Sequence, residues 1–135
     1  RQRQMCIRDR LNPLETVLKG KRIILVDDSI VRGTTSKNLI KRMKKAGAKE
    51  VHMRIVSPPV KFPCYYGINT PSRQKLIAAN YSVEEMRKKI GADSLAFISM
   101  EGMLNATLMK ENKFCEACFN GTYAVEPKEL VQDEK

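Results

Sequence analysis

IILVDDSIVRGTTSKN, residues Ile23 to Asn38, runs four apolar residues into two adjacent carboxylates, Asp27 and Asp28. A short polar loop with one glycine follows, and Thr34, Thr35 and Ser36 then open a basic segment. A continuous β-branched and apolar run that stops at a turn signal is the pattern of a strand buried on both faces of a parallel sheet. Beyond the loop, Leu39, Ile40 and Met43 share one face of a helical period, with Lys37, Lys41, Lys44 and Lys45 around the other and Gly47 as the stop. The order is strand, phosphate loop, helix.

Upstream, Asn12-Pro13 marks a turn, and Leu14, Val17 and Leu18 form a short apolar stripe closed by Gly20-Lys21. Downstream, Val51, Met53 and Ile55 alternate with His52 and Arg54 until Ser57-Pro58-Pro59, which predicts a second strand at βαβ spacing. A right-handed crossover would lay it beside the first. Ser82-Val83-Glu84-Glu85 has the capping-box form and opens a helix through Val83, Met86 and Ile90 that stops at Gly91. Leu95 to Ile98 reads as a third strand; Met100, Met103, Leu104 and Leu108 fit one more helix, weakened by Gly102. The polar, acidic tail from Tyr123 onward is expected to fray. Strands alternating with helices predict an α/β fold, a parallel sheet flanked by helices, whose ligand sits outside the carboxyl ends of the strands. The loop after Val26 is where that ligand belongs.

With 135 residues the chain is about one domain long, and no apolar run approaches a membrane span. No secretory signal opens it, so the expected compartment is the cytoplasm. The net charge of +10 suits an anionic partner, although five of the nine residues from Lys37 to Lys45 are basic and a solvated helix face accounts for much of the excess. With no Trp, four Tyr and four Phe, stacking platforms are few, and no nucleic-acid partner is expected. Residues 1–10, RQRQMCIRDR, match no period and read as a non-native scar of a cloning or sequencing adapter. His52 reads as a polar-face strand residue and the seven methionines as core filler.

Two carboxylates as close as Asp27 and Asp28 repel unless a cation or a polyhydroxyl ligand sits between them. Ser29, Ile30, Val31, Arg32, Gly33, Thr34 and Thr35 offer consecutive backbone N–H groups at a helix start, which attracts phosphate. The Walker pattern is excluded because no Lys follows the glycine. An acidic pair beside a phosphate cradle implies a sugar phosphate; the simpler alternative is that the two aspartates only cap a turn. Cys115-Glu-Ala-Cys118 is a CxxC pair, a weak signal shared by zinc, redox disulfides and iron–sulfur clusters. Cys64 alone reads as a buried small hydrophobe.

VDDSIVRGTTS resembles the phosphoribosyl pyrophosphate (PRPP) signature of type I phosphoribosyltransferases, in the form found in the amidophosphoribosyltransferase family. Ser57-Pro58-Pro59, FPCYYGI (Phe62 to Ile68), SVEEMRKKIGADSL (Ser82 to Leu95) and CEACFNGTY (Cys115 to Tyr123) resemble the same family in the same order. The resemblance runs from Leu11 to about Pro127. It implies a partial type I phosphoribosyltransferase fold, with residues 11–110 as the carboxyl-terminal half of that domain and residues 111–135 as a cysteine-containing tail.

The implied reaction forms 5-phosphoribosylamine from PRPP and ammonia released from glutamine, the first committed step of purine synthesis. Asp27 and Asp28 would engage ribose hydroxyls and Mg²⁺, the Ser29 to Thr35 loop would cradle the 5-phosphate, and Arg32 would be a ligand contact or a loop clamp. Cys64, Cys115 and Cys118 would be ligands of a [4Fe–4S] cluster whose fourth ligand lies upstream; Cys6 is left out because it falls in the suspected scar. The resemblance further implies a homo-oligomer at full length. The family's glutaminase half and the upstream strands are not in this sequence, so the chain is expected to be a fragment, inactive alone, with exposed apolar edges. A PRPP-binding transcriptional regulator of the same fold is the alternative, and a small zinc module a third reading that leaves the acidic loop unexplained.

Overall fold

The computed structural model describes residues 13–108 and 114–125. A first helical turn, α1 (Glu15–Leu18), leads into strand β1 (Arg22–Asp27). Helix α2 (Thr34–Lys45) follows the loop, then β2 (Glu50–Ile55). A 3-10 turn at Arg73–Lys75, α3 (Ile77–Asn80), α4 (Val83–Ile90), β3 (Ser94–Phe97), α5 (Met100–Ala106) and α6 (Ala117–Asn120) complete the order. The three strands form one parallel sheet in the order β1-β2-β3, with Ile23 opposite Val51 and Met53 opposite Leu95.

One face of that sheet carries the core. Val51, Met53 and Ile55 of β2 are buried, Ile23 and Leu25 of β1 and Leu95 and Phe97 of β3 pack beside them, and Ile40 of α2 with Met86 and Ile90 of α4 close the layer. The period of 3.6 in the helices and of 2 in the strands brings these residues together. Both capping-box bonds at α4 are present: Glu85 N–H donates to Ser82 Oγ, and Ser82 N–H donates to Glu85 Oε2 at 2.8 Å. Glu85 therefore titrates below the usual carboxylate range, first through the Ser82 hydroxyl bond.

The other face is largely open. This overturns the expectation that β1 is buried on both faces: its apolar run does reach both sides, but Ile24 and Val26 are 65% and 68% exposed because only the side that carries Ile23 and Leu25 packs against the core. The expected apolar exposure is therefore present on edge strand β1. Beside it runs a polar row in which Arg22 donates to Glu50 at 2.6 Å, and His52 bonds Glu50 at 3.0 Å and Ser94 at 2.8 Å. His52 is thus held as a structural residue of the open face. Of the methionines, Met53 and Met86 are fully buried core residues.

Three further expectations need correction. Leu108 lies beyond α5, with a positive φ and 95% exposure, because the helix ends at Ala106 and its apolar stripe ends with it. α3 was not expected: one turn of helix is too short to show a period, yet Leu76, Ile77 and Ala78 are buried. The tail does not fray at its start, because the Tyr123 hydroxyl donates to the Pro63 carbonyl at 2.6 Å. Residues 1–10 and the tail beyond Val125 lie outside the described residues. Among the described residues no helix is long and apolar enough to cross a membrane.

Candidate functional site

At the carboxyl end of β1 the chain must leave the sheet, and the two aspartates shape its exit. Asp27 Oδ1 accepts from Asp28 N–H at 3.0 Å; Asp28 Oδ1 accepts from Ser29 N–H at 2.6 Å and from the Ser29 hydroxyl at 3.3 Å. The turn-capping role is therefore real. It occupies one oxygen of each carboxylate, and Oδ2 of both has no partner among the described residues. Those oxygens are hard donors suited to Mg²⁺ or ribose hydroxyls.

The loop beyond them is a row of unused donors. The backbone N–H groups from Ile30 to Ser36 find no acceptor among the described residues, and the first return bond of the helix is Lys37 N–H to Gly33 C=O at 2.9 Å. Gly33 caps α2 in the left-handed region at φ 78°, and a Cβ there would stand 2.9 Å from Ile77 Cδ1. The positive φ favours glycine, and a larger residue would also push the Ile77 side-chain tip aside. Consecutive free amides at the positive end of a twelve-residue helix form an anion nest.

The nest is held from behind. Ile30 is 1% exposed in the core, Ser36 is buried, and Val31 C=O accepts from Ile77 N–H at 2.9 Å. The unforeseen α3 is thus the prop of the loop. Asp27, Asp28, Ser29, Ile30, Val31, Arg32, Gly33, Thr34 and Thr35, the residues singled out from the sequence, all line one cavity of about 430 Å³. Asn69 and Pro71 complete its wall. They were missed because they sit in an irregular segment that carries no periodic signal; only the position of Pro71 in a polar turn hinted at a fixed loop.

A second constellation lies at the other motif. Lys61 and Phe62 N–H groups both donate to the Cys118 carbonyl at 3.0 Å, which brings the Cys64 segment against α6. Gly121 makes this approach possible, since a Cβ there would stand 2.8 Å from the Phe62 ring. The Cys64 N–H donates to Thr70 Oγ1 at 2.6 Å, and Tyr123 packs edge-on against Tyr65 with ring centres 5.2 Å apart. Cys64 and Cys118 are half-buried and Cys115 is exposed, all as free thiols. Burial, then the neighbouring Cys64 and Cys115 sulfurs, raises the Cys118 thiol above its ordinary range.

Among the described residues no three His, Cys, Asp or Glu donors are gathered tightly enough for a single metal ion. A cluster spreads its thiolate ligands more widely than one ion does, and three soft thiols at one corner match its donor chemistry. That corner also borders a cavity of about 570 Å³ lined by Cys115, Tyr66 and Tyr123.

Known proteins match the chain over nearly all of its length. No family model matches the chain. The amidophosphoribosyltransferase of Synechococcus elongatus is 54% identical over 133 residues, 98% of this chain and 27% of that protein. The chloroplastic amidophosphoribosyltransferase of Glycine max is 52% identical over 130 residues, 95% of this chain and 22% of that protein. Among solved structures, the glutamine PRPP amidotransferase of B. subtilis in complex with ADP and GMP superposes with a TM-score of 0.80 at 47% identity, covering 90% of this chain and 27% of that one. The chain spans about a quarter of the length of the curated relatives it matches. Over nearly its whole length, the chain matches a carboxyl-terminal portion of amidophosphoribosyltransferases at about 50% identity.

Proposed function

We propose that this chain carries the PRPP loop of a glutamine-dependent amidophosphoribosyltransferase, the enzyme that forms 5-phosphoribosylamine. The observation that carries the reading is the row of N–H groups from Ile30 to Ser36 that find no acceptor among the described residues, directly after two carboxylates that each keep one oxygen without a partner among them. The amides and the Thr34 and Thr35 hydroxyls hold the 5-phosphate. Asp27 and Asp28 hold the ribose hydroxyls and would hold Mg²⁺, which would supply neutralisation of the pyrophosphate charge. As that group leaves, positive charge builds on the ribose, and the fixed carboxylates stabilise it without reorganising. Ammonia derived from glutamine then attacks the sugar. Arg32 borders the cavity and serves as the cationic clamp on the anion.

Cys64, Cys115 and Cys118 are proposed as three ligands of a [4Fe–4S] cluster with its fourth ligand elsewhere in the polypeptide. Such a cluster would tie α6 to the Cys64 loop. A homo-oligomer at full length and a cytoplasmic location complete the reading; the Glycine max relative is named as chloroplastic. The regulator alternative loses ground because the relatives that match nearly the whole chain are named as amidophosphoribosyltransferases.

Steady-state kinetics of the full-length protein test the assignment. Replacing both aspartates, Asp27→Asn with Asp28→Asn, is expected to lower kcat/KM for PRPP by at least about a hundredfold, with glutamine hydrolysis retained. Unchanged PRPP kinetics would remove the loop from the active site.

A further inference from the structure

The nest has a second side. Arg32, Gly33 and Thr34 border not only the cavity beside Asp27 but also a separate one of about 630 Å³, walled by the start of α2, the Gln74–Ile77 segment and the last turn of α4. Five of its lining side chains are cationic, Arg32, Lys37, Lys75, Lys88 and Lys89, and none is acidic. They come from four pieces of chain: the loop, α2, the 3-10 turn and α4. Lysines along one helix face need no explanation beyond solvation. Convergence from separate elements on one concavity is different, because each cation raises the potential felt by the others.

Very little offsets that charge. Lys88 stands 3.9 Å from Glu84, which Arg87 already holds at 2.7 Å, and Lys89 lies 4.0 Å over the Tyr81 ring. Arg32, Lys37 and Lys75 have no ion pair with any described residue. Elsewhere on α2 the protein does neutralise a lysine: Lys44 is paired with Asp93 at 3.1 Å.

We propose that this cavity binds a compact oligophosphate anion. Its volume is that of a small-molecule site, roughly 300–1,000 Å³, and the cations sit on several walls, so a chain of two or three phosphates meets more of them than a single phosphate does. The site itself is independent of the PRPP reading. One consequence rests on that reading: an anion here engages Arg32 and places negative charge behind the nest, so occupation of either cavity weakens phosphate binding at the other, reciprocally.

Calorimetric titration of the full chain with inorganic tripolyphosphate tests the site. Saturable binding is expected, weakened about tenfold or more for each charge removed in Lys75→Gln and Lys88→Gln, neither of which lines the cavity beside Asp27. The control pair Lys41→Gln and Lys45→Gln removes equal charge from α2 outside the cavity and should leave affinity unchanged. Wild-type affinity in the Lys75 and Lys88 variants overturns the proposal, as does equal weakening in both pairs, which would mean attraction by net charge alone. Adenosine triphosphate binding no tighter than tripolyphosphate assigns the site to the bare phosphate chain; tighter binding assigns it to a nucleotide-borne one.

Discussion

The Asp27–Thr35 loop and the cysteine corner are both irregular backbone, yet different forces hold them. The loop is anchored in the aliphatic core: Ile30 is buried among Ile40, Ile77 and Ile90, and a strand and a helix fix its two ends. The corner has only a four-residue helix of its own, and single polar contacts bind it, chiefly the Tyr123 hydroxyl on Pro63, Thr70 on Cys64 and the paired amides on Cys118. Burial is many weak contacts added together, whereas one hydrogen bond contributes about 1 kcal/mol net. The loop is therefore preorganised by the fold, and the corner depends on a few local bonds and on whatever its thiols bind.

Cutting the prop of the loop should have the largest effect. Ile77→Ala empties a buried site beside Gly33 and is expected to cost about 2–5 kcal/mol, read as a fall in the denaturant midpoint of the whole transition. Next comes Gly33→Ala. It forces a side chain into the left-handed region and against Ile77, at a cost of about 1–3 kcal/mol, and should weaken PRPP binding more than it lowers stability because the amides above it move. A Gly33→Ala protein with intact affinity would show that the nest does not hold the phosphate.

Breaking the corner should be milder and local. Tyr123→Phe removes the hydroxyl bonded to Pro63 at a cost of about 1 kcal/mol, seen as faster alkylation of half-buried Cys118 with little change in the global midpoint. The same residue sets a pH window. Burial, then the nearby Tyr65 ring, pushes the Tyr123 phenol up to about 12, whereas an unfolded tyrosine ionises near 10. Between those values the folded state keeps a proton that the unfolded state has lost, so stability is intact below about pH 10 and falls as pH rises towards 12. Near-UV circular dichroism across that range should show the corner loosening before the sheet, and Tyr123→Phe should abolish the step.

The same contrast explains what could be read in the chain beforehand. β1, α2, β2, α4 and β3 follow from periods and caps, because Ile23 to Val26, the Leu39, Ile40 and Met43 stripe and the Ser82-Glu85 box are local signals. That the nine loop residues line one cavity was legible because contiguous amides, a glycine and hydroxyls fall in one short run after a strand. Asn69, Pro71 and Ile77 were not: each acts through a contact made only when distant segments meet, and nothing beside them in the chain announces it. The anchoring of Tyr123 was hidden for the same reason, since its partner Pro63 is sixty residues away. Polar composition said "tail", and one half-buried phenol with a hydrogen bond overruled it.

The most direct test of the central claim follows the backbone amides of the loop by nuclear magnetic resonance while PRPP and Mg²⁺ are added. The amides from Ile30 to Ser36 have no acceptor among the described residues, so their resonances should shift progressively and to saturation, with Asp27 and Asp28 following and the Cys115 to Tyr123 segment unmoved. Saturating shifts confined to other residues, with Ile30 to Ser36 unchanged, would contradict it.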